Sequence, residues 1–269
     1  MMLDYVKLSP TGNDTVLVHT PVPRALHGTV AAKLLEQVGG EQVGYLEPSA
    51  EAAARLQMMG GEFCGNATMA LGALLARNDG LPDGHEHALK LEVSGSAHPV
   101  LCLIRCDGDH WRGTVSMPLP ESTVDVMLDT PAGALKIPLV QLPGISHLIL
   151  PASAHIAEAD LRQLLPEWHA RLGGDALGAL VWDEDQSFMD PLVYVPSAGT
   201  LVRERGCGSG SAAVGSLMAL RAGRTMEVPV RQPGGTITVR AEIEDGRVTA
   251  LSITGQVFLL DEGQAEISL

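Results

Sequence analysis

Aromatic side chains are scarce in this chain. Phe, Trp and Tyr together make up 3% of its 269 residues. A core must therefore be built from Ala, Val, Leu, Ile and Met. The stacking platforms used by single-strand nucleic-acid binders are missing. Positive charge is scarce as well: 18 Lys and Arg stand against 32 Asp and Glu, a formal charge of −14. A chain this acidic is a poor match for a phosphate backbone, so no nucleic-acid partner is expected. No apolar run approaches the roughly 18 residues of a membrane helix, and no membrane partner is expected. The stretch Met1 to Lys7 has no charged segment followed by an apolar run, so no secretory signal is read there and a cytoplasmic location is expected. Cysteines number four and none form C-x-x-C, which excludes a disulfide framework and argues against zinc or thioredoxin-type chemistry. Cys102 and Cys106 fall in one strand-like run, about 13 Å apart, and read as two buried strand thiols. The histidines show no metal spacing, and no metal is expected.

What is present is a repeated unit. The length suits two domains, and a hydrophobic content of 45% supports a core. Cys64-Gly-Asn-Ala-Thr-Met-Ala-Leu-Gly-Ala-Leu-Leu-Ala76 matches Cys207-Gly-Ser-Gly-Ser-Ala-Ala-Val-Gly-Ser-Leu-Met-Ala219 at an offset of 143 residues. Six of the aligned positions are identical (64, 65, 70, 72, 74 and 76), and most others are small or apolar in both. Each copy leads into two alternating runs joined by an Asp-Gly turn. One pair runs 99–105 and 111–117 around Asp107-Gly108, the other 236–242 and 248–253 around Asp245-Gly246. Each half therefore reads as strands, a Cys-Gly opening of an Ala/Leu-rich helix, and a meander. Apolar residues at 69, 71, 74 and 75 predict one buried face for the first of these helices. Residues 158–172 predict a further helix, broken or restarted at Pro166. The Pro-rich stretch 118–143 predicts the boundary, giving an N-terminal domain of residues 1–125 and a C-terminal domain of residues 126–269.

The two Cys-Gly helix openings carry the chemistry. A helix N-terminus has N–H groups without intrahelical partners, and its dipole makes that end positive. A thiol placed there has its thiolate favoured, and the same N–H groups suit a carboxylate. Gly65, Gly208 and Gly210 let a ligand approach the backbone closely. Two such openings in equivalent repeats fit racemisation of an α-amino acid. A thiolate on one face of Cα takes a proton while a thiol on the other face gives one. The N–H groups would hold the α-carboxylate and the charge that builds on it. The scheme needs no pyridoxal cofactor, and none is expected; no lysine among Lys7, Lys33, Lys90 and Lys136 has an evident Schiff-base setting.

Cys64-Gly-Asn66 and Cys207-Gly-Ser-Gly210 resemble the two catalytic cysteine motifs of the cofactor-independent amino-acid racemases and epimerases typified by diaminopimelate epimerase. Gly12-Asn13-Asp14, Leu46-Glu47-Pro48-Ser49, Pro143-Gly-Ile-Ser-His147 and Pro233-Gly-Gly235 resemble further segments of that family, over nearly the whole chain. The resemblance implies an α/β (α+β) fold of two pseudo-symmetric domains, each a β-barrel or curved sheet around a central helix, with the site in the cleft between them. It implies catalytic roles for Cys64 and Cys207. Substrate contacts are implied at Asn13, Glu47, Gly65, Asn66, His147, Glu204, Gly208 and Ser209. A homodimer is implied too.

Two departures bear on substrate. Met58-Met59-Gly60-Gly61-Glu62-Phe63 stands where diaminopimelate epimerases carry a longer, Asn-bearing segment. Arg203-Glu204-Arg205-Gly206 abuts Cys207 with no intervening loop. Both look closer to the histidine racemases that supply D-histidine to staphylopine-type metallophore synthesis, and an imidazole would suit carboxylates such as Glu47 and Glu204. The expected activity is therefore two-base histidine racemisation. Diaminopimelate epimerisation is the alternative enzyme, and a non-catalytic amino-acid-binding protein is the alternative of another class.

Overall fold

A computed structural model describes residues 1–268. The chain folds into two compact units. Among the described residues, unit 1 holds residues 1–116 and 254–268, and unit 2 holds residues 117–253. Unit 1 contains β1 (Met2–Pro10), β2 (Thr15–Val18), α1 (His27–Val38), β3 (Gln42–Glu47), β4 (Ala54–Met58), α2 (Gly65–Asn78), β5 (Glu86–Val93), β6 (Val100–Asp107) and β7 (His110–Ser116). Unit 2 contains β8 (Ser122–Thr130), β9 (Gly133–Leu142), β10 (Ile145–Pro151), α3 (Glu158–Leu172), β11 (Leu177–Asp183), β12 (Phe188–Val195), β13 (Thr200–Arg203), α4 (Gly208–Ala222), β14 (Met226–Gln232) and β15 (Gly235–Glu244). The last strand, β16 (Arg247–Glu266), starts in unit 2 and ends in unit 1.

This division corrects the expected boundary of 125/126 at both ends. The stretch from Met117 belongs to unit 2, because Met117 N–H bonds the Leu251 carbonyl and β8 pairs with β9. Residues 254–268 return to unit 1, because β1 pairs antiparallel with β16 from Met2↔Glu266 to Pro10↔Val257. Leu269 lies outside the described residues. Long-range strand pairing leaves no local trace in the sequence, so neither end was legible there.

In unit 1 the strands run in the order β1 to β7, then β16, and β16 pairs back onto β1. That second pairing closes a barrel and removes its edges. Helix α2 packs on β1, β2, β5, β6 and β7. It is buried on all sides rather than on the one face expected, from Gly65 through Leu74. Small residues make this fit work: a Cβ on Gly72 would lie 2.6 Å from Cys102 Sγ. Cys102 and Cys106 are buried free thiols on β6, and burial pushes Cys102 up to about 12. Outside, Val30, Ala31 and Leu34 of α1 pack with Leu3, Val16, Val43 and Tyr45 in a second core.

Unit 2 repeats the plan. Its strands run β16, β15, β14, β12, β11, β10, β9, β8, with β13 paired to β12. Helix α4 packs on β9, β10, β14 and β15, and a Cβ on Gly215, the repeat equivalent of Gly72, would lie 2.4 Å from Val239 Cγ1. Helix α3 covers a separate core with Leu161, Leu165 and Trp168. It runs through Pro166 without the expected break. Proline there removes a single amide donor, and the buried side chains before and after it hold both turns on the sheet. Both Asp-Gly turns join hairpins as expected, β6 to β7 and β15 to β16. Among the described residues, no helix is long and apolar enough to cross a membrane.

Candidate active site

Cys64 is the N-cap of α2, with extended backbone at φ −135° and ψ 110°. Its sulfur accepts the Ala67 N–H at 3.4 Å, so it fills the capping position usually held by a serine or aspartate oxygen. Its carbonyl accepts both the Thr68 N–H, at 3.0 Å, and the Thr68 hydroxyl, at 2.7 Å. The turn leading in is clamped by Ser94, whose hydroxyl donates to the Glu62 carbonyl at 2.7 Å and accepts the Met58 N–H at 2.9 Å. Met58 is thereby drawn into the core and Met59 packs under α1.

The Cys64 thiol donates to Gln42 Oε1 at 3.3 Å. Gln42 opens β3, and its amide nitrogen donates to Asn13 Oδ1 at 2.5 Å and to Thr15 Oγ1 at 2.8 Å. Asn13 Nδ2 in turn donates to Glu41 Oε2 at 2.6 Å. Asn13 is thus brought to Cys64 through Gln42, a residue the sequence did not single out. Gly65 and Asn66 form the buried first turn of α2. Glu47 is not brought to this thiol. It stands at the other end of β3 from Gln42, about 16 Å along the strand. Arg24 grips its carboxylate through Nε and Nη2 at 2.9 and 2.6 Å, and Arg55 Nε lies 3.3 Å away. The Arg24 hydrogen bonds hold Glu47 below the usual carboxylate range. Glu47 is thus held in ion pairs with Arg24 and Arg55.

Cys207 caps α4 in the same way, its sulfur accepting the Gly210 N–H at 3.3 Å. Its carbonyl accepts the Ser211 N–H at 3.0 Å and the Ser211 hydroxyl at 2.7 Å, the counterparts of Thr68. Its own N–H donates to Gln232 Oε1 at 2.7 Å, and Gln232 Nε2 donates to Ser211 Oγ at 2.9 Å. Gln232 was also missed from sequence. The Glu204 carboxyl lies beside the thiol. Burial first, and then the Glu204 charge, push Cys207 well above the usual thiol range, against the Ser209 hydroxyl and the Gly210 amide. Burial likewise raises Glu204, against the opposing effect of the neighbouring Cys207. Ser209 Oγ lies 3.6 Å from the sulfur and 2.9 Å from His147 Nε2. His147 is fully buried, and burial pushes it down to about 3. Its Nδ1 has no hydrogen-bond partner among the described residues and lies against Gly178, where a Cβ would sit 2.2 Å away. His147, Glu204, Gly208 and Ser209, all expected at the site, therefore do converge on Cys207.

Each unit thus offers a sulfur at the positive end of a buried helix whose first-turn N–H groups have no acceptor within the helix. Such an end can take a carboxylate, and the sulfur beside it can exchange a proton with a neighbouring carbon acid.

The chain matches the family model described as the histidine racemase CntK N-terminal domain over residues 2–266. It is 30% identical to the histidine racemase of Staphylococcus aureus (strain Mu50 / ATCC 700699), over 99% of this chain and 98% of that one. It is 25% identical to the diaminopimelate epimerase of Xylella fastidiosa (strain M12), over 92% of each. Its fold is similar to that of a hydroxyproline epimerase from Agrobacterium vitis, with TM-score 0.74 and 16% identity, over 98% of this chain and 92% of that one. The capped cysteines and the matched length agree, and the chain belongs to the histidine racemase family as an isomerase.

Proposed function

We propose that this protein interconverts L- and D-histidine without a cofactor, with Cys64 and Cys207 as the acid and base. The observation that carries the reading is the repeated cysteine cap: in each unit the same central helix begins at a sulfur that accepts its third N–H. The first-turn N–H groups bind the α-carboxylate and stabilise the negative charge that grows as the α-proton leaves. One sulfur receives that proton and the other delivers a new one to the opposite face of Cα. Glu204, beside Cys207, is placed to take up or return the thiol proton. Gly65, Asn66, Gly208 and Ser209 form the turns that bind substrate, with Asn13 and His147 holding the sites beneath them. The protein acts as a cytoplasmic homodimer and supplies D-histidine to metallophore synthesis of the staphylopine type.

The test is incubation of L-histidine and LL-diaminopimelate in D₂O. Loss of the histidine α-proton signal together with decay of optical rotation is the expected result. Exchange of diaminopimelate alone would move the chain to the epimerases, and ligand binding without exchange would make it a binding protein. Light scattering of the eluting protein checks the dimer.

A further inference from the structure

The bonds that end on Cys64 have a direction. Glu41 is a carboxylate and can only accept, so the Asn13 amide must turn its nitrogen toward Glu41 and its oxygen toward Gln42. Thr15 gives its hydroxyl proton to the Asn13 carbonyl at 3.2 Å, so it too faces Gln42 as an acceptor. Asn13 Oδ1 and Thr15 Oγ1 both demand the Gln42 nitrogen. That leaves the Gln42 oxygen as the atom that meets the sulfur, at 3.3 Å.

We propose that Glu41, Asn13 and Gln42 act as positioning residues that fix this polarity and hold Cys64 in its protonated form in the resting protein. A thiol can donate to the Gln42 oxygen, whereas a thiolate there meets the negative end of an amide dipole. Turning that amide over would break its bonds to Asn13 and Thr15. The chain thus opposes the Ala67 N–H, which favours the thiolate. Glu41 is held by Asn13, and Asp14 accepts the Ser9 hydroxyl. Glu62 in the entering turn is exposed, and the first turn of α2 carries no acidic residue. The inference rests on the two-cysteine reading for its catalytic meaning, but it is read out without activity.

The test is the pH dependence of iodoacetamide labelling at Cys64, followed by peptide mass spectrometry, in the parent and in Gln42→Leu and Glu41→Gln. Leucine removes the acceptor and leaves the helix N–H groups. Labelling at neutral pH should then speed up by roughly two- to fivefold, the scale of one lost hydrogen bond, with the profile moved to lower pH. Glu41→Gln keeps the shape but lets Asn13 turn over, so a smaller shift of the same sign is expected. Should Gln42→Leu fail to fold, the partly exposed Glu41→Gln decides alone. An unchanged or slower profile in a folded variant overturns the proposal. A two-cysteine mechanism that fails shows itself differently, as racemisation surviving Cys64→Ser.

Discussion

In unit 1 the capping sulfur faces an amide, Gln42; in unit 2 it faces a carboxylate, Glu204. The backbone around the two is the same. Each sulfur accepts an N–H three residues on, and each cysteine carbonyl is gripped by a hydroxyl four residues on, Thr68 or Ser211. The repeat has therefore kept the device that presents the sulfur and changed the groups that set its protonation. Unit 1 reaches its thiol through two amides, which do not titrate. Unit 2 surrounds its thiol with a buried histidine and a carboxylate, which do. A two-base racemase needs one sulfur protonated and the other not at the start of each turnover. The unlike surroundings set the protonation of the two sulfurs through different groups, a non-titrating amide on one side and a carboxylate on the other.

The largest effects should come from removing either sulfur. Cys64→Ser and Cys207→Ser keep a hydrogen-bonding atom at the cap, but a hydroxyl is far less acidic than a thiol. Each variant should lose about 10²–10⁴-fold in histidine racemisation, the range for a positioned acid or base. With a histidine analogue carrying a leaving group at Cβ, each variant should still eliminate from one enantiomer, and the enantiomers should differ. Chiral chromatography of the residual substrate checks this. Elimination from the same enantiomer by both variants would show that the two sulfurs do not serve opposite faces.

Acid should separate the units next. His147 stays neutral in the native state until pH approaches about 3, whereas its ordinary value is 6.5. Between those values the unfolded chain binds a proton that the native chain refuses. Stability therefore falls as pH falls through that window, by at most about 1.4 kcal/mol per pH unit from this group. His147→Gln keeps a nitrogen for Ser209 and does not titrate. Urea unfolding at pH 7 and pH 5 should show the variant losing about 1–2 kcal/mol less than the parent on acidification. Equal losses would mean that His147 takes up its proton without unfolding unit 2.

The sequence carried the parts of this comparison that repeat. The cysteine helix openings, their offset and the two Asp-Gly hairpins all leave local signatures, and the helices and hairpins form where those signatures lie. It did not carry Gln42 or Gln232. Each lies more than twenty residues from its cysteine, at the end of a strand, with no motif around it. Only the pairing of β2 with β3, and of β14 with β15, sets their place. The surroundings of Glu47 were not legible either, for the same reason. Its neighbours in sequence suggested a ligand-lining strand end, while its actual partner, Arg24, lies 23 residues upstream. The all-round burial of α2 was hidden because Ala and Gly look neutral on an amphipathic wheel, though they are what lets a helix enter a barrel.

The finest difference between the units lies beneath the caps. Thr68 and Ser211 make the same bond to a cysteine carbonyl, and both are fully buried. Ser211 also accepts from Gln232, whose other end receives the Cys207 N–H. Thr68→Val removes one hydroxyl while keeping the shape, and Cys64 retains its bond from the Thr68 N–H. A cost of about 1 kcal/mol is expected. Ser211→Ala removes the matching hydroxyl and strands the Gln232 amide in a site that is 5% exposed. A buried donor without an acceptor costs about 1–3 kcal/mol, so this variant should be the less stable of the two by roughly 1 kcal/mol. Adding Gln232→Leu to Ser211→Ala should recover part of that difference, because the stranded donor goes with it. Urea midpoints of the three variants read this directly. If Thr68→Val and Ser211→Ala cost the same, and Gln232→Leu restores nothing, then the glutamine clamp contributes no stability and the two caps differ only in what faces the sulfur.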